Sequence, residues 1–148
     1  MVSNAIAIVT ILLFVVLIAV SCVRTAFAKR KAKPGYISQR EIEALHGVTV
    51  TALRAKGISM FSFRTLDSYG PPYRELALLE IRLRRARLEG MVLTRDQVAL
   101  VAPFVEGWLA GDLPHLLSAE YDDEMGVPLR HYKERMQAQE LWPRPKLA

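Results

Sequence analysis

Residues 5–23 read AIAIVTILLFVVLIAVSCV, nineteen consecutive positions without a charge. About 20 helical residues at 1.5 Å rise cross the ~30 Å hydrocarbon core of a bilayer. This stretch decides the architecture. The chain is expected to be mainly α, with one N-terminal transmembrane helix followed by a small helical domain of about five short helices.

Working outward from the apolar run, the first question is whether it is retained. Ala26-Phe27-Ala28 has the A-x-A form favoured by signal peptidase, and Ala19-Val20-Ser21-Cys22 loosely follows a lipobox, with Ala19 where Leu is usual. A secretory signal carries its positive charge ahead of the apolar run. Here Met1-Val2-Ser3-Asn4 contributes only the terminal amine, whereas Arg24, Lys29, Arg30, Lys31 and Lys33 follow the run. That polarity predicts a retained anchor with the N-terminus outside and the C-terminal domain in the cytoplasm. Cys22, the one cysteine, excludes an internal disulfide and is expected to serve as a small apolar residue or a palmitoylation point at the membrane boundary.

The net charge of +5 could suggest a nucleic-acid partner until the charges are located. The five basic residues just named stand in residues 1–33 without any acid, so the remaining 115 residues hold 15 basic and 15 acidic side chains. The basicity therefore belongs to the membrane edge, where each Lys or Arg attracts anionic lipid headgroups by about 1 kcal/mol. Within the domain, residues 34–95 carry ten Lys/Arg against six Asp/Glu, and residues 96–148 carry five against nine. Such polarisation favours packing of the two halves on each other, or an oriented partner.

Pro34-Gly35 breaks the helix leaving the membrane, so residues 1–33 form an anchor with a basic juxtamembrane segment and a helical domain occupies 34–141. Ser38 caps a short helix over about 38–46, with Glu41 at its third position and Ile42 and Leu45 inward, and Gly47 ends it. A second short helix begins at Thr49, with Ala52 and Leu53 inward, and ends at Gly57. Residues 60–63, Met-Phe-Ser-Phe, alternate as a short extended segment. Pro71-Pro72 opens the longest helix, over 72–89, whose inward stripe is Leu76, Leu79, Leu83 and Ala86.

Thr94 and Gln97 form a capping box for a helix with Val98, Val101, Val105, Trp108 and Leu109 inward, kinked or restarted at Pro103 and closed by Gly111. Residues 113–121 give a further turn or two, residues 122–126 a solvated acidic loop, and Pro128 starts a last helix to about Leu141. Residues 142–148, with two prolines, leave the fold as an extended tail.

Candidate contact residues follow from this layout. Arg82, Arg84, Arg85 and Arg87 form the densest basic run outside the membrane edge, a guanidinium surface suited to an acidic partner, while Trp142 is an aromatic anchor. His115, Glu120, Asp122, Asp123 and His131 are metal-ligand types without i, i+4 pairing, so no metal site is expected. A P-loop, G-x-S-x-G, H-E-x-x-H and C-x-x-C are all missing, which points away from an enzyme and from a cofactor.

The string 38–56, SQREIEALHGVTVTALRAK, resembles the N-terminal helix-turn-helix of the MerR family of regulators, where a GVS-x-x-TLR string opens the second helix. That resemblance implies a DNA-binding face of Thr49, Thr51, Arg54 and Lys56. The chain departs from the family at residues 60–63, which are hydrophobic where a wing should follow. Residues 87–90, 93–94 and 108–113 faintly resemble small antitoxins that inhibit Fic-type AMP transferases through a Ser/Thr-x-x-x-Glu-Gly helix, but Arg85 stands at the Ser/Thr position. The expected function is a non-catalytic, membrane-anchored binding or scaffold subunit whose partners are proteins of the same membrane complex. The alternative is a membrane-tethered helix-turn-helix regulator.

Overall fold

A computed structural model describes residues 2–58, 68–86, 89–113 and 119–144, without the side chains of residues 2–5 and 119–123. The chain divides into two compact units, residues 1–33 and 34–148.

The first unit is one helix, α1 (Val2–Lys31). Ile6–Lys31 is long and apolar enough to cross a membrane, and none of it is buried by protein. Lys29, Arg30 and Lys31 occupy its last turn, where cations oppose the negative end of the helix dipole.

The second unit is helical with a minimal sheet. Strand β1 (Tyr36–Ile37) pairs antiparallel with β2 (Met91–Val92), Tyr36 opposite Val92 and Ile37 opposite Met91. Among the described residues it has four helices: α2 (Gln39–Ala55), α3 (Tyr73–Arg85), α4 (Arg95–Ala110) and α5 (Ala119–Ala138). Helix α2 is central and packs against each of the other three. The core is built from Ile42, Leu45 and Leu53 of α2, Leu76, Leu79 and Leu83 of α3, Val98, Val101 and Val105 of α4, and Leu129, Tyr132 and Met136 of α5. These are the inward positions that helical spacing selects in α2, α3 and α4.

Several boundaries differ from the sequence reading. The helix expected over 72–89 as the longest stops, as α3, at Arg85, leaves Ala86 as its C-cap and is shorter than α2, α4 and α5. The two short helices expected over 38–46 and 49–57 are the single helix α2, which runs through Gly47. Gly47 is small for the sake of a close approach and not to make a turn: a Cβ there would lie 2.5 Å from Cε of Met125. Pro103 sits on the exposed side of α4 and neither breaks nor restarts it.

Helix α5 starts at Ala119, so the acidic stretch 122–126 is helical and Pro128 lies inside the helix. Buried Met125, Leu129, Tyr132 and Met136 recur at helical spacing across that proline, and their burial holds the helix together through it. The capping box read at Thr94 is present, with the Gln97 N–H donating to the Thr94 hydroxyl at 3.3 Å and the Thr94 N–H donating to the Gln97 side chain at 3.0 Å.

Gly35 locks the chain into this unit. Its N–H donates to the Gln139 side chain at 2.9 Å and its carbonyl accepts from the Leu93 N–H at 2.9 Å, which extends the β1–β2 ladder. Its φ is +78°, and a Cβ would fall 2.1 Å from the Leu93 carbonyl oxygen. Gly57 has a similar φ of +75° but open space around it. Gly57→Ala is therefore expected to destabilise by about 1–2 kcal/mol, the left-handed penalty alone. Gly35→Ala is expected to cost roughly 2–3 kcal/mol more, because backbone must move. Urea unfolding of the two full-length variants in the same detergent checks this, and equal losses would refute the lock.

Candidate functional site

The polar chemistry inside the domain is concentrated on two acids. Glu80 of α3 is completely buried, and its Oε1 accepts from Arg84 Nη2 at 2.6 Å and Nε at 3.1 Å and meets His46 Nε2 at 2.7 Å. Its Oε2 has no hydrogen-bond partner among the described residues. An acid and a histidine this close invite a catalytic reading, yet the Thr49 hydroxyl beside them donates to the His46 backbone carbonyl at 2.9 Å. No hydroxyl or thiol among the described residues is aligned with the imidazole as a nucleophile would be. The cluster works as a tie between α2 and α3, made by the His46–Glu80 contact, with Arg84 as the charge partner on the same helix as Glu80.

Glu41 does the same at the start of α2. Its Oε2 accepts from the Ser38 N–H at 2.8 Å and the Ser38 hydroxyl at 2.9 Å. Arg135 of α5 closes a fork on both carboxylate oxygens at 2.6 and 3.2 Å. Such a bidentate pair fixes geometry as well as charge. Tyr132 is buried beside it, and its hydroxyl has no partner among the described residues. Burial pushes the Tyr132 phenol well above the ordinary tyrosine range, and the Glu41 charge pushes it further while Arg135 opposes them. At the surface, Lys133 of α5 reaches Glu106 of α4 at 2.7 Å.

Among the described residues two clefts open on the domain. One, of about 440 Å³, runs between α2 and α5 and is lined by Arg40, Glu43, Ala44, Glu124, Met125, Val127 and Pro128. The other, of about 290 Å³, is lined by Arg95, Gln137, Glu140, Trp142, Pro143 and Arg144. Among the described residues no group of three His, Cys, Asp or Glu side chains could hold a metal ion. Of the ligand types weighed from sequence, only the His131 side chain is described, and it is exposed.

The residues selected from sequence are distributed as follows. Arg82, Arg84 and Arg85 are exposed on α3, but Arg84 is committed to Glu80, so it belongs to the internal ion pair more than to an open binding face. Arg87 lies outside the described residues. Trp142 is not part of a detached tail. Its ring packs edge-on against Tyr132 at 5.9 Å between ring centroids, and its backbone N–H donates to the Met136 carbonyl at 3.1 Å. Burial of the indole against the core holds the chain there, while residues 145–148 lie outside the described part.

The DNA-binding set is divided by the fold. Thr49 and Thr51 are buried and cannot meet base edges, whereas Arg54 and Lys56 are exposed. Lys56 Nζ stands 5.5 Å from the centroid of the Tyr73 ring, a cation–π contact inside the domain. Glu89 and Gly90 lie past the end of α3 and so do not form the antitoxin-like helix. Arg24, Lys29, Arg30 and Lys31 are exposed on α1, and Lys33, also exposed, follows it.

Sequence reasoning placed Glu41 correctly as the capping partner of Ser38 but missed its pairing with Arg135, and it missed His46 and Glu80. Glu80 had a usable signal: it stands four residues after Leu76 and three before Leu83, an acid on an apolar stripe, with Arg84 one turn on. The Glu41–Arg135 pair had none, being separated by 94 positions.

Removing both hydrogen-bond partners of a buried carboxylate leaves it uncompensated. His46→Ala with Arg84→Ala is expected to destabilise by about 3 kcal/mol or more, and Glu80→Gln by less, in urea unfolding. If the double variant loses no more than Glu80→Gln, the cluster does not organise α2 and α3.

Tyr132 gives a second test. Because the folded state raises its pKa above the ordinary 10.0, its contribution is complete below that pH and is lost as pH rises beyond it. Stability at about pH 11 should fall relative to pH 8, and Tyr132→Phe should reduce that fall while leaving neutral-pH stability unchanged or higher. No family model, no curated protein and no solved structure matches this chain.

Proposed function

We propose that this protein is a single-pass, membrane-anchored, non-catalytic subunit whose helical domain docks an acidic protein partner on the cytosolic side of the same membrane. The observation that carries this reading is α1: a helix whose apolar span is nowhere buried by protein, with Arg24, Lys29, Arg30 and Lys31 toward its C-terminal end and Lys33 just past it, asks for lipid around it. Anchoring confines the domain to a plane with its partners, which raises their effective concentration and lets a modest interface suffice.

The distribution of charge supports an oriented partner. Among the described ion pairs, the one that joins the two halves of the domain matches Arg135 from the acidic half with Glu41 from the basic half. It leaves the imbalance between the halves as it was. The surplus cations of the first half are then available on α3 at Arg82 and Arg85. The tethered-regulator alternative loses its support with the continuity of α2 and the burial of Thr49 and Thr51.

Full-length protein extracted in mild detergent is expected to co-purify with stoichiometric membrane proteins, identified by mass spectrometry, and to bring no DNA. Arg82→Glu with Arg85→Glu should reduce partner retention at least tenfold, about 1.4 kcal/mol, without changing the unfolding midpoint. Undiminished retention would remove the α3 face, and co-purified duplex DNA would restore the regulator reading.

A further inference from the structure

We infer a second binding site, for the phosphate groups of anionic membrane lipids, on the edge of the domain that carries Arg95, Trp142 and Arg144. The inference rests on α1 being a membrane span and goes beyond the protein-docking face assigned to α3. Its first support is chain reach. Gly35 is bound to this edge through both its backbone groups, to Gln139 and to Leu93, and Leu141 Cδ1 lies 3.5 Å from where a Gly35 Cβ would stand. Lys33, the last of the basic residues, is two positions earlier. An extended chain advances at most about 3.6 Å per residue, so Lys33 lies within roughly 7 Å of Gly35. Residues 93–95 and 137–144 therefore cannot be carried far from the end of the basic segment.

The second support is the chemistry of the cleft at that edge. Arg95, the first residue of α4, and Arg144 line it with Trp142, whose ring is fixed from behind by Tyr132. Guanidinium forks match phosphate oxygens in a way that a diffuse positive field does not. A half-buried indole with an N–H and an apolar face is the side chain favoured at headgroup level. Val92, 41 % exposed on β2 just ahead of this edge, offers an apolar contact of the same kind. Glu140 is the one acid in the lining, so the cleft holds two cations to one anion. Sequence alone gives no hint of the site, because Arg95 and Arg144 stand 49 positions apart.

The test uses the full chain reconstituted into phosphatidylcholine vesicles, with or without phosphatidylglycerol, containing a phosphatidylcholine spin-labelled on its headgroup as quencher. The Trp142 signal is the emission difference between wild type and Trp142→Phe, which leaves Trp108 in place. Quenching of Trp142 is expected to increase with phosphatidylglycerol. Arg95→Gln with Arg144→Gln should raise the phosphatidylglycerol fraction needed for half-maximal quenching about fivefold or more, given the attraction of each arginine to an anionic surface.

An alkaline wash followed by vesicle flotation reads the anchor separately. A chain stripped from the vesicles overturns the membrane span itself. A chain that stays, with Trp142 indifferent to phosphatidylglycerol or the double variant indistinguishable from wild type, overturns the lipid site alone. Trp142 shielded from quencher in every lipid would assign this edge to a protein contact instead and also overturn the site.

Discussion

Burial of α2 is the constraint on which the rest of the domain depends. Its buried residues, from Glu41 through Leu53, cover roughly 200° of the helix circumference at 100° per residue, well beyond the single stripe of an ordinary surface helix. A helix so placed has to be approached from three sides, and it is, by α3, α4 and α5. That requirement explains Gly47, where the α2 backbone must admit Met125. It also explains why α5 extends past Pro128: without the turn that carries Met125, one side of α2 would stand open.

The two buried acids set the register of this packing. Hydrophobic contact alone is tolerant of small slides between helices, because apolar surfaces are non-directional. A carboxylate is not tolerant. Taking Glu80 fully out of water, or Glu41 nearly so, costs several kcal/mol unless its donors stand at hydrogen-bond distance. His46 therefore fixes α2 against α3 while Arg84 holds the same carboxylate from its own helix, and Arg135 fixes the start of α2 against α5. Such pairs add little to net stability, since their attraction roughly repays their desolvation, but a misaligned arrangement loses the attraction and keeps the penalty. These side chains are thereby absorbed into structure.

What remains available for function is at the surface. The α3 cations Arg82 and Arg85 face solvent on one helix, and the Arg95–Trp142–Arg144 edge lies where the chain enters the domain at Gly35. We regard the first as a docking surface for protein and the second as one for lipid, a division that would fix both the height and the rotation of an anchored domain. Two weak contacts on a tethered body can act together in this way, because the tether has already removed most of the translational freedom that binding would have to overcome.

The sequence by itself determined the helical class, the single apolar span with its basic flank, the Thr94 capping box and the inward positions of α2, α3 and α4. All of these are local or periodic properties, decided within a few turns of one helix. Tertiary structure alone decided that Gly47 sits inside a helix, that residues 122–126 are helical across Pro128, that Thr49 and Thr51 face the core, and that Trp142 packs on Tyr132. These turn on packing beyond the local chain: Met125 against Gly47, α2 against the start of α5, burial of the threonines, Tyr132 under the indole. Local propensity treats Gly as a stop, Pro as a start and an acidic run as a loop, and each tendency is worth about 1–3 kcal/mol. Burial of a large side chain such as Met125 or Leu129 is worth as much or more, and several act together along one stripe, so packing overrules the local signals at these points.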